Sequence, residues 1–284
     1  MNLMNIEYIL KNALLEDIGS GDVTTSSIIP ENHRSKAVMI AKDDFLLAGV
    51  TFAERVFKLI DSGLRFKTYK EDGNAVKEGD VIAELNGNSR LLLMAERTAL
   101  NLLQRLSGIA TLTHKFVESV KGLPVRIVDT RKTTPGIRAL EKYAVRVGGG
   151  CNHRFGLFDG ILIKDNHINV VGNIRKAIKM AKKNSHHMLK IEVEAKSLRE
   201  VRDALSEGAH IIMLDNMSIR DIRQSVNLIR GKNPHVIIEA SGNMNLKNIR
   251  AVAETGVDLI SIGALTHSAV AVDISMKVIP VSRV

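Results

Sequence analysis

Apolar positions recur along this 284-residue chain in two rhythms, one near 3.6 and one near 2. Ile6, Ile9, Leu10, Ala13 and Leu14 fall on one helical face and run into the turn-rich Ile18-Gly19-Ser20-Gly21-Asp22, which predicts an opening helix. Short apolar stretches at Ala37–Ala41, Phe45–Ala48, Arg65–Tyr69 and Val81–Leu85 predict strands, with turns at Asp72-Gly73 and Glu78-Gly79-Asp80. Thr51–Ile60 predicts a helix stopped by Gly63. A long helical pattern then runs from Leu91 to about Val120, interrupted at Ser107-Gly108 and carrying Glu96, Arg97, Asn101 and Arg105. The first part of the chain therefore reads as a small α+β domain, and the long helix leads to a second one.

Beyond Gly122-Leu123-Pro124 the pattern changes to short apolar runs that end in polar residues. They are Val125–Val128 before Asp129-Thr130-Arg131-Lys132, Ile161–Ile163 before Lys164-Asp165-Asn166-His167, Leu189–Val193 before Glu194, Ile211–Leu214 before Asp215-Asn216, Val236–Ile238 before Glu239-Ala240-Ser241-Gly242, and Leu259–Ile262 before Gly263-Ala264-Leu265. Amphipathic helical patterns such as Ile174–Ala181 and Leu198–Ala204 lie between them, which makes a βα repeat. Ligands of parallel β/α structures sit at the carboxyl ends of strands, and all six runs carry their polar residues there. An eight-fold barrel usually needs about 250 residues and only about 150 are available, so a barrel of fewer strands or an open sheet is expected. The expected division is 1–115 and 116–269, with 270–284 returning to the first domain.

Composition narrows the class. Apolar residues make up 45% and aromatics 4%, with no Trp, so the core is aliphatic, as β/α layers favour. A single Cys151 excludes an internal disulfide and any Cys-based zinc cluster. No apolar run approaches a membrane span, and Glu7 stands where a signal peptide would be basic, so a soluble cytoplasmic protein without a membrane partner is expected. The net charge of +9 admits nucleic acid or phosphorylated metabolites. Zinc-finger spacing and RNP-like aromatics are both missing, and three Tyr with seven Phe offer few stacking platforms, so a basic metabolite site fits better than nucleic acid.

The charge is concentrated between Asp129 and His167, where Arg131, Lys132, Arg138, Lys142, Arg146, His153, Arg154, Lys164 and His167 surround a Thr133-Thr134-Pro135-Gly136 turn and the triplet Gly148-Gly149-Gly150. Cations beside Thr, Gly, Asn and Pro, rather than interleaved with acids, describe a pocket for a strongly anionic small molecule; a solvated basic face is the alternative. Arg131 and Lys132 at a strand end repel unless an anion or an acid such as Asp129 or Glu141 answers them. The Gly triplet permits either close ligand approach or tight packing. Arg154 is suited to grip a planar carboxylate. Lys164 is a phosphate contact, a Schiff-base nucleophile or a surface lysine. Glu194 and Asp215 end adjacent runs, so both carboxylates can face one opening, pairing with cations or holding magnesium against substrate phosphates. Ser241-Gly242-Asn243 and Ile262-Gly263-Ala264 place small residues where backbone N–H groups can receive a phosphate.

Together these stretches resemble the quinolinate phosphoribosyltransferase family. The matching segments include Glu16 through Thr24, Glu96 through Asn101, Ser107 through Thr111, Asp129 through Gly136, Leu140 through Arg146, Gly148 through Gly156, Leu162 through His167, Glu192-Val193-Glu194, Met213 through Met217, Glu239 through Gly242 and Ser261 through Ser268. The resemblance implies an amino-terminal α/β sandwich and an incomplete α/β barrel of about six or seven strands. It implies that Arg97, Thr130, Arg131, Lys132, His153, Arg154 and Lys164 bind quinolinate and phosphoribosyl diphosphate, with Lys132, Lys164, Glu194 and Asp215 closest to the chemistry. Glu194 and Asp215 would lie near the ribose and Mg2+, and the Ser241–Asn243 and Ile262–Ala264 loops near the 5-phosphate. Asn243 departs from the second Gly common in the family. A homodimer or hexamer whose subunits share sites through Arg97 is also implied. A related phosphoribosyltransferase acting on another ring acid, a Schiff-base aldolase using Lys164 and an RNA-binding protein are the competing readings.

Overall fold

The computed structural model describes residues 3–280. In chain order its elements are α1 Leu3–Ile18, α2 Val23–Ile28, β1 Arg34–Ala41, β2 Phe45–Leu46, α3 Val50–Ile60, β3 Arg65–Thr68, β4 Ala75–Val76, β5 Val81–Asn88 and α4 Ser89–Ser119. They continue with β6 Arg126–Val128, α5 Arg138–Val147, β7 Ile161–Ile163, α6 Asp165–Val171, α7 Ile174–Asn184, β8 Ile191–Ala195, α8 Leu198–Ser206 and β9 Ile211–Asp215. The last are α9 Ile219–Lys232, β10 Ile237–Ser241, α10 Ile249–Ala253, β11 Leu259–Ser261, α11 Ala264–His267 and β12 Ile274–Pro280.

The chain forms two compact units. The first takes residues up to His114, Thr133–Gly149 and residues from Thr266 onward; the second takes Lys115–Lys132 and Gly150–Leu265. Thr133–Gly149, which the run pattern placed inside the 116–269 segment, thus packs with the first unit. In that unit a four-stranded sheet has the order β12-β1-β5-β3, and β1 pairs antiparallel with both β12 and β5. β1 forms because its residues alternate: Ser35, Ala37, Met39 and Ala41 are buried, and the residues between them are not. Residues 281–284 of the expected 270–284 return lie outside the described residues, as do residues 1 and 2.

Two expectations about helix ends fail. α3 ends at Ile60 and is capped by Asp61, whose N–H bonds Phe57 O, so Gly63 is not its stop. α4 runs unbroken through Ser107-Gly108. The Gly is there for packing, since a Cβ on Gly108 would collide with the Val270 carbonyl. Ser107 Oγ accepts the Ala48 N–H at 3.0 Å, so this hydroxyl serves a neighbouring loop instead of ending the helix. α2 went unread, although Asp22 caps it by accepting the Thr25 N–H at 2.9 Å.

The second unit contains all six expected runs as one parallel sheet, β6-β11-β10-β9-β8-β7. β6 and β7 are its edges, and a parallel bridge from Val128 to Cys151 adds a rudiment of a further strand beside β6. Helices follow the strands, as a βα repeat requires. β8 is buried at all five positions, yet two of them are Glu192 and Glu194.

Candidate active site

Strand register places the acids. Glu194 lies beside Met213, Met213 beside Glu239, and Asp215 beside Ser241, so these residues share one face of the sheet. Period two along β8 puts Glu192 on that face as well. Glu194, Asp215 and Ser241 stand at or near the carboxyl ends of their strands, and Glu192 and Glu239 lie deeper. Such a face in a parallel sheet is normally aliphatic, so four acids on it mark a site rather than a packing solution.

Asp129 organises the next layer. It is fully buried; its Oδ1 accepts the His153 N–H at 2.8 Å and its Oδ2 accepts from Asn152 Nδ2 at 2.7 Å. These bonds fasten the 151–154 segment to the end of β6, beside Arg131. The Lys132 N–H bonds Thr130 Oγ1 at 3.0 Å, and this tight turn leaves Lys132 exposed beyond the strand end. Arg154 is half-buried, and its Nη1 donates to Gly160 O at 2.8 Å. Burial, and then the Arg131 guanidinium, lower its pKa, so two guanidiniums converge at this end of the sheet. Crowded like charges are the condition that an anionic ligand relieves.

His153 points inward. Its Nε2 is 3.1 Å from Glu192 Oε2 and 3.5 Å from Glu239 Oε2, while its Nδ1 accepts the Arg154 N–H at 2.8 Å. Burial alone would lower its pKa; hydrogen bonds and charge from the two acids outweigh that and raise it to about 10. Accepting at Nδ1 requires the neutral ring with its proton on Nε2, which then donates to the acids; the second proton that the acids favour would sit on Nδ1 and displace the Arg154 N–H. Burial also raises the pKa of Glu192.

Lys164 sits at the start of α6, where its N–H bonds His167 Nδ1 at 2.8 Å, and its Nζ contacts Glu194 Oε1. Glu194 Oε2 also accepts the Asp165 N–H at 3.3 Å. With Lys164 and a backbone donor on it, Glu194 has both carboxylate oxygens engaged by protein groups. Asp215 Oδ1 accepts from Asn216 Nδ2 at 3.1 Å and is only partly buried, so it is the more open of the two carboxylates. Among the described residues, the group whose ligand atoms lie mutually within 4.8 Å is instead His153, Glu192 and Glu239.

The loops after β10 and β11 differ from each other. Gly242 has φ 97°, and a Cβ there would strike the Asn216 amide. Asn243 follows with φ 33°, a left-handed conformation that Asn tolerates better than most residues, so the departure from Gly keeps the turn. In the other loop the Ile262 N–H bonds Val128 O at 2.9 Å, which removes it from the expected phosphate donors. Arg97 lies in the first unit, exposed on α4. Within the Gly triplet, Gly148 serves packing, since a Cβ there would stand 2.5 Å from Ala110 O, and Gly149 takes a φ of 88°.

Sequence reading missed Glu192, Glu239, Asp129 as an organiser, and the Arg105–Glu141 pair. Glu141 is fully buried and accepts from Arg105 Nη2 at 2.9 Å, Thr134 N at 3.0 Å and Thr134 Oγ1 at 2.9 Å. The available signal for the first two was an acid on the same side as Glu194 or Ser241 in otherwise apolar strands.

Comparison with known proteins agrees with this geometry. Residues 22–107 match the quinolinate phosphoribosyl transferase N-terminal domain, and residues 109–277 the C-terminal domain of the same family. A Bacillus subtilis protein described as a probable nicotinate-nucleotide pyrophosphorylase (carboxylating) is 45% identical, covering 98% of this chain and 95% of its own. A Methanocaldococcus jannaschii protein of the same description is 46% identical over 95% of this chain and 96% of its own. The solved nicotinate-nucleotide pyrophosphorylase of Francisella tularensis superposes with a TM-score of 0.90 at 41% identity, covering 98% of each chain. With both domains matched in order and the cations and acids gathered at the strand ends, the chain belongs to the quinolinate phosphoribosyl transferase family.

Proposed function

We infer that the protein transfers the phosphoribosyl group of phosphoribosyl diphosphate to quinolinate and decarboxylates the product, giving nicotinate mononucleotide, carbon dioxide and pyrophosphate for NAD biosynthesis. The observation that carries this reading is the convergence of Arg131 and Arg154 above the acidic face bearing Glu194 and Asp215. Two polyanions must be brought together, and charge-assisted hydrogen bonds of roughly 1.5–3 kcal/mol each offset their repulsion. Arg131, Lys132 and Arg154 hold the ring dicarboxylate, with His153 beneath them. Lys164, Thr130 and the Ser241–Asn243 and Gly263–Ala264 loops serve the sugar phosphates.

As pyrophosphate leaves, the ribose carbon becomes oxocarbenium-like, and Glu194 and Asp215 face that developing charge. The pyridine nitrogen attacks it, and the positive charge on the ring stabilises the electron pair left on C2 as the 2-carboxylate departs as carbon dioxide; C2 then takes a proton from solvent to give the product ring. Magnesium, when bound, supplies charge neutralisation at the leaving diphosphate, and Asp215 with Glu194 would hold it through water. Orientation of two bound anions contributes much of the remaining acceleration.

The proposed working unit is a cytoplasmic homodimer, with Arg97 completing the partner's site. Incubation with quinolinate, phosphoribosyl diphosphate and magnesium should form nicotinate mononucleotide, and excess chelator should stop it; no product under these conditions refutes the reading. Inactive Arg97→Ala and Lys132→Ala subunits, co-refolded, should regain up to about a quarter of wild-type activity. Verified heterodimers without activity would refute site sharing.

A further inference from the structure

Two acids on the shared sheet face are absent from this scheme. Glu239 is completely buried and Glu192 nearly so, and both stand deeper than the residues that would meet substrate. Their sheet neighbours are apolar: Met213 and Leu259 flank Glu239, and Ile211 lies beside Glu192. An aliphatic side chain at either position would complete an ordinary core, so the acids must answer something specific. Both approach the same atom, His153 Nε2. The other ring nitrogen accepts the Arg154 N–H, and the next atoms along the chain lead to the guanidinium that stands near Arg131. Both nitrogens of His153 are therefore engaged by protein groups, and its ring links the floor of the sheet to the base of Arg154.

We propose that Glu239 and Glu192 are positioning residues for the substrate dicarboxylate, acting through His153 to fix where Arg154 stands. The proposal rests on the reading of the pocket as a quinolinate site, and it makes His153 a strut as well as a pocket residue. Asp129 holds the same segment from the other side through the His153 N–H, so the strut is fixed at its backbone and at its ring tip. Removing Glu239 takes one of the two acids from the tip, leaving Glu192 at 3.1 Å and the backbone anchor in place. The consequence is selective: the carboxylates of the ring acid lose a preset partner, while the sugar diphosphate, bound by other groups, does not.

Steady-state kinetics of the full-length enzyme tests this. Glu239→Ala should raise KM for quinolinate about 10-fold or more and leave KM for phosphoribosyl diphosphate within about 2-fold. Glu239→Gln keeps the shape and an oxygen for the Nε2 proton, and should recover most of the loss; Glu192→Gln should behave likewise. In a His153→Ala background, Glu239→Ala should add less than about 2-fold, because its path is already cut. Equal loss for both substrates, no loss, or independent multiplication with His153→Ala would overturn the proposal. A readout separate from turnover keeps it apart from the functional reading. In nuclear magnetic resonance spectra of the folded protein, the Arg154 side-chain Nε–H signal should shift in Glu239→Ala and return toward wild type in Glu239→Gln. An unmoved signal overturns the positioning role even if the reaction is confirmed, and absent wild-type turnover with a moved signal refutes only the function.

Discussion

The two sheets handle charge in opposite ways. In the antiparallel sheet of the first unit, β1 turns Ala37, Met39 and Ala41 inward, and its Lys36 pairs with Glu84 at 2.8 Å on the open side. Lys70–Asp80 and Lys77–Asp44 are likewise solvent-facing pairs. In the parallel sheet, Glu192, Glu194 and Glu239 are buried on one face. Charges at the surface are screened and contribute little to stability, whereas a buried acid carries a desolvation penalty that the fold alone gives no reason to accept. The position of the acids, more than their number, therefore separates a supporting sheet from a working one.

A second contrast sharpens the first, because the supporting unit also buries an acid. Glu141 is surrounded by donors from Arg105 and Thr134. Neither Glu239 oxygen has a hydrogen-bond partner among the described residues beyond the 3.5 Å approach of His153. Glu141 is thus tied to its own unit by several donors, whereas the contact of Glu239 is with the His153 imidazole.

The largest effect expected from breaking this comparison falls on activity. Lys132→Ala and Arg154→Ala should each lower kcat/KM by at least about 100-fold with the unfolding midpoint nearly unchanged, since neither supports a core. A variant keeping most of its kcat/KM would remove that residue from the site. Next comes Glu141→Ala, which removes the carboxylate from the Arg105 guanidinium and from two donors of Thr134 while Arg105 keeps the Ala269 and Thr266 carbonyls, and should destabilise the protein by about 2–3 kcal/mol in denaturant titrations. A change close to zero would show that Glu141 is not a structural acid. Gly108→Ala drives a methyl against the Val270 backbone and should cost about 1–3 kcal/mol, measured in the same way. Lys36→Ala, at the bottom of the scale, should leave both activity and the unfolding midpoint unchanged to within about 1 °C.

Much of the second unit was legible in sequence because each strand advertises itself twice, by an apolar run and by the polar residues that end it. Val125–Val128 before Asp129 and Ile211–Leu214 before Asp215 are examples, and both became strands. Arg131, Lys164 and Glu194 were singled out by the same strand ends, which the structure keeps, and Arg154 by its place after the Gly triplet. What stayed hidden depends on contacts between distant residues. Nothing local tells that Gly108 sits in an unbroken helix because a backbone passes beside it, or that the Ile262 N–H is taken by Val128. Glu192 and Glu239 were written in matching segments, but only strand register reveals that they reach the same imidazole as each other. Asn243 shows the converse: its φ of 33° explains why Gly is favoured there and why Asn is the substitute that fits.

The most direct test of the account is a crystal structure of the protein with bound quinolinate. The ring acid should lie at the carboxyl ends of the parallel strands, its carboxylates within hydrogen-bond distance of the Arg131 and Arg154 guanidiniums. Quinolinate bound elsewhere, with Arg131 and Arg154 facing only solvent, would contradict it.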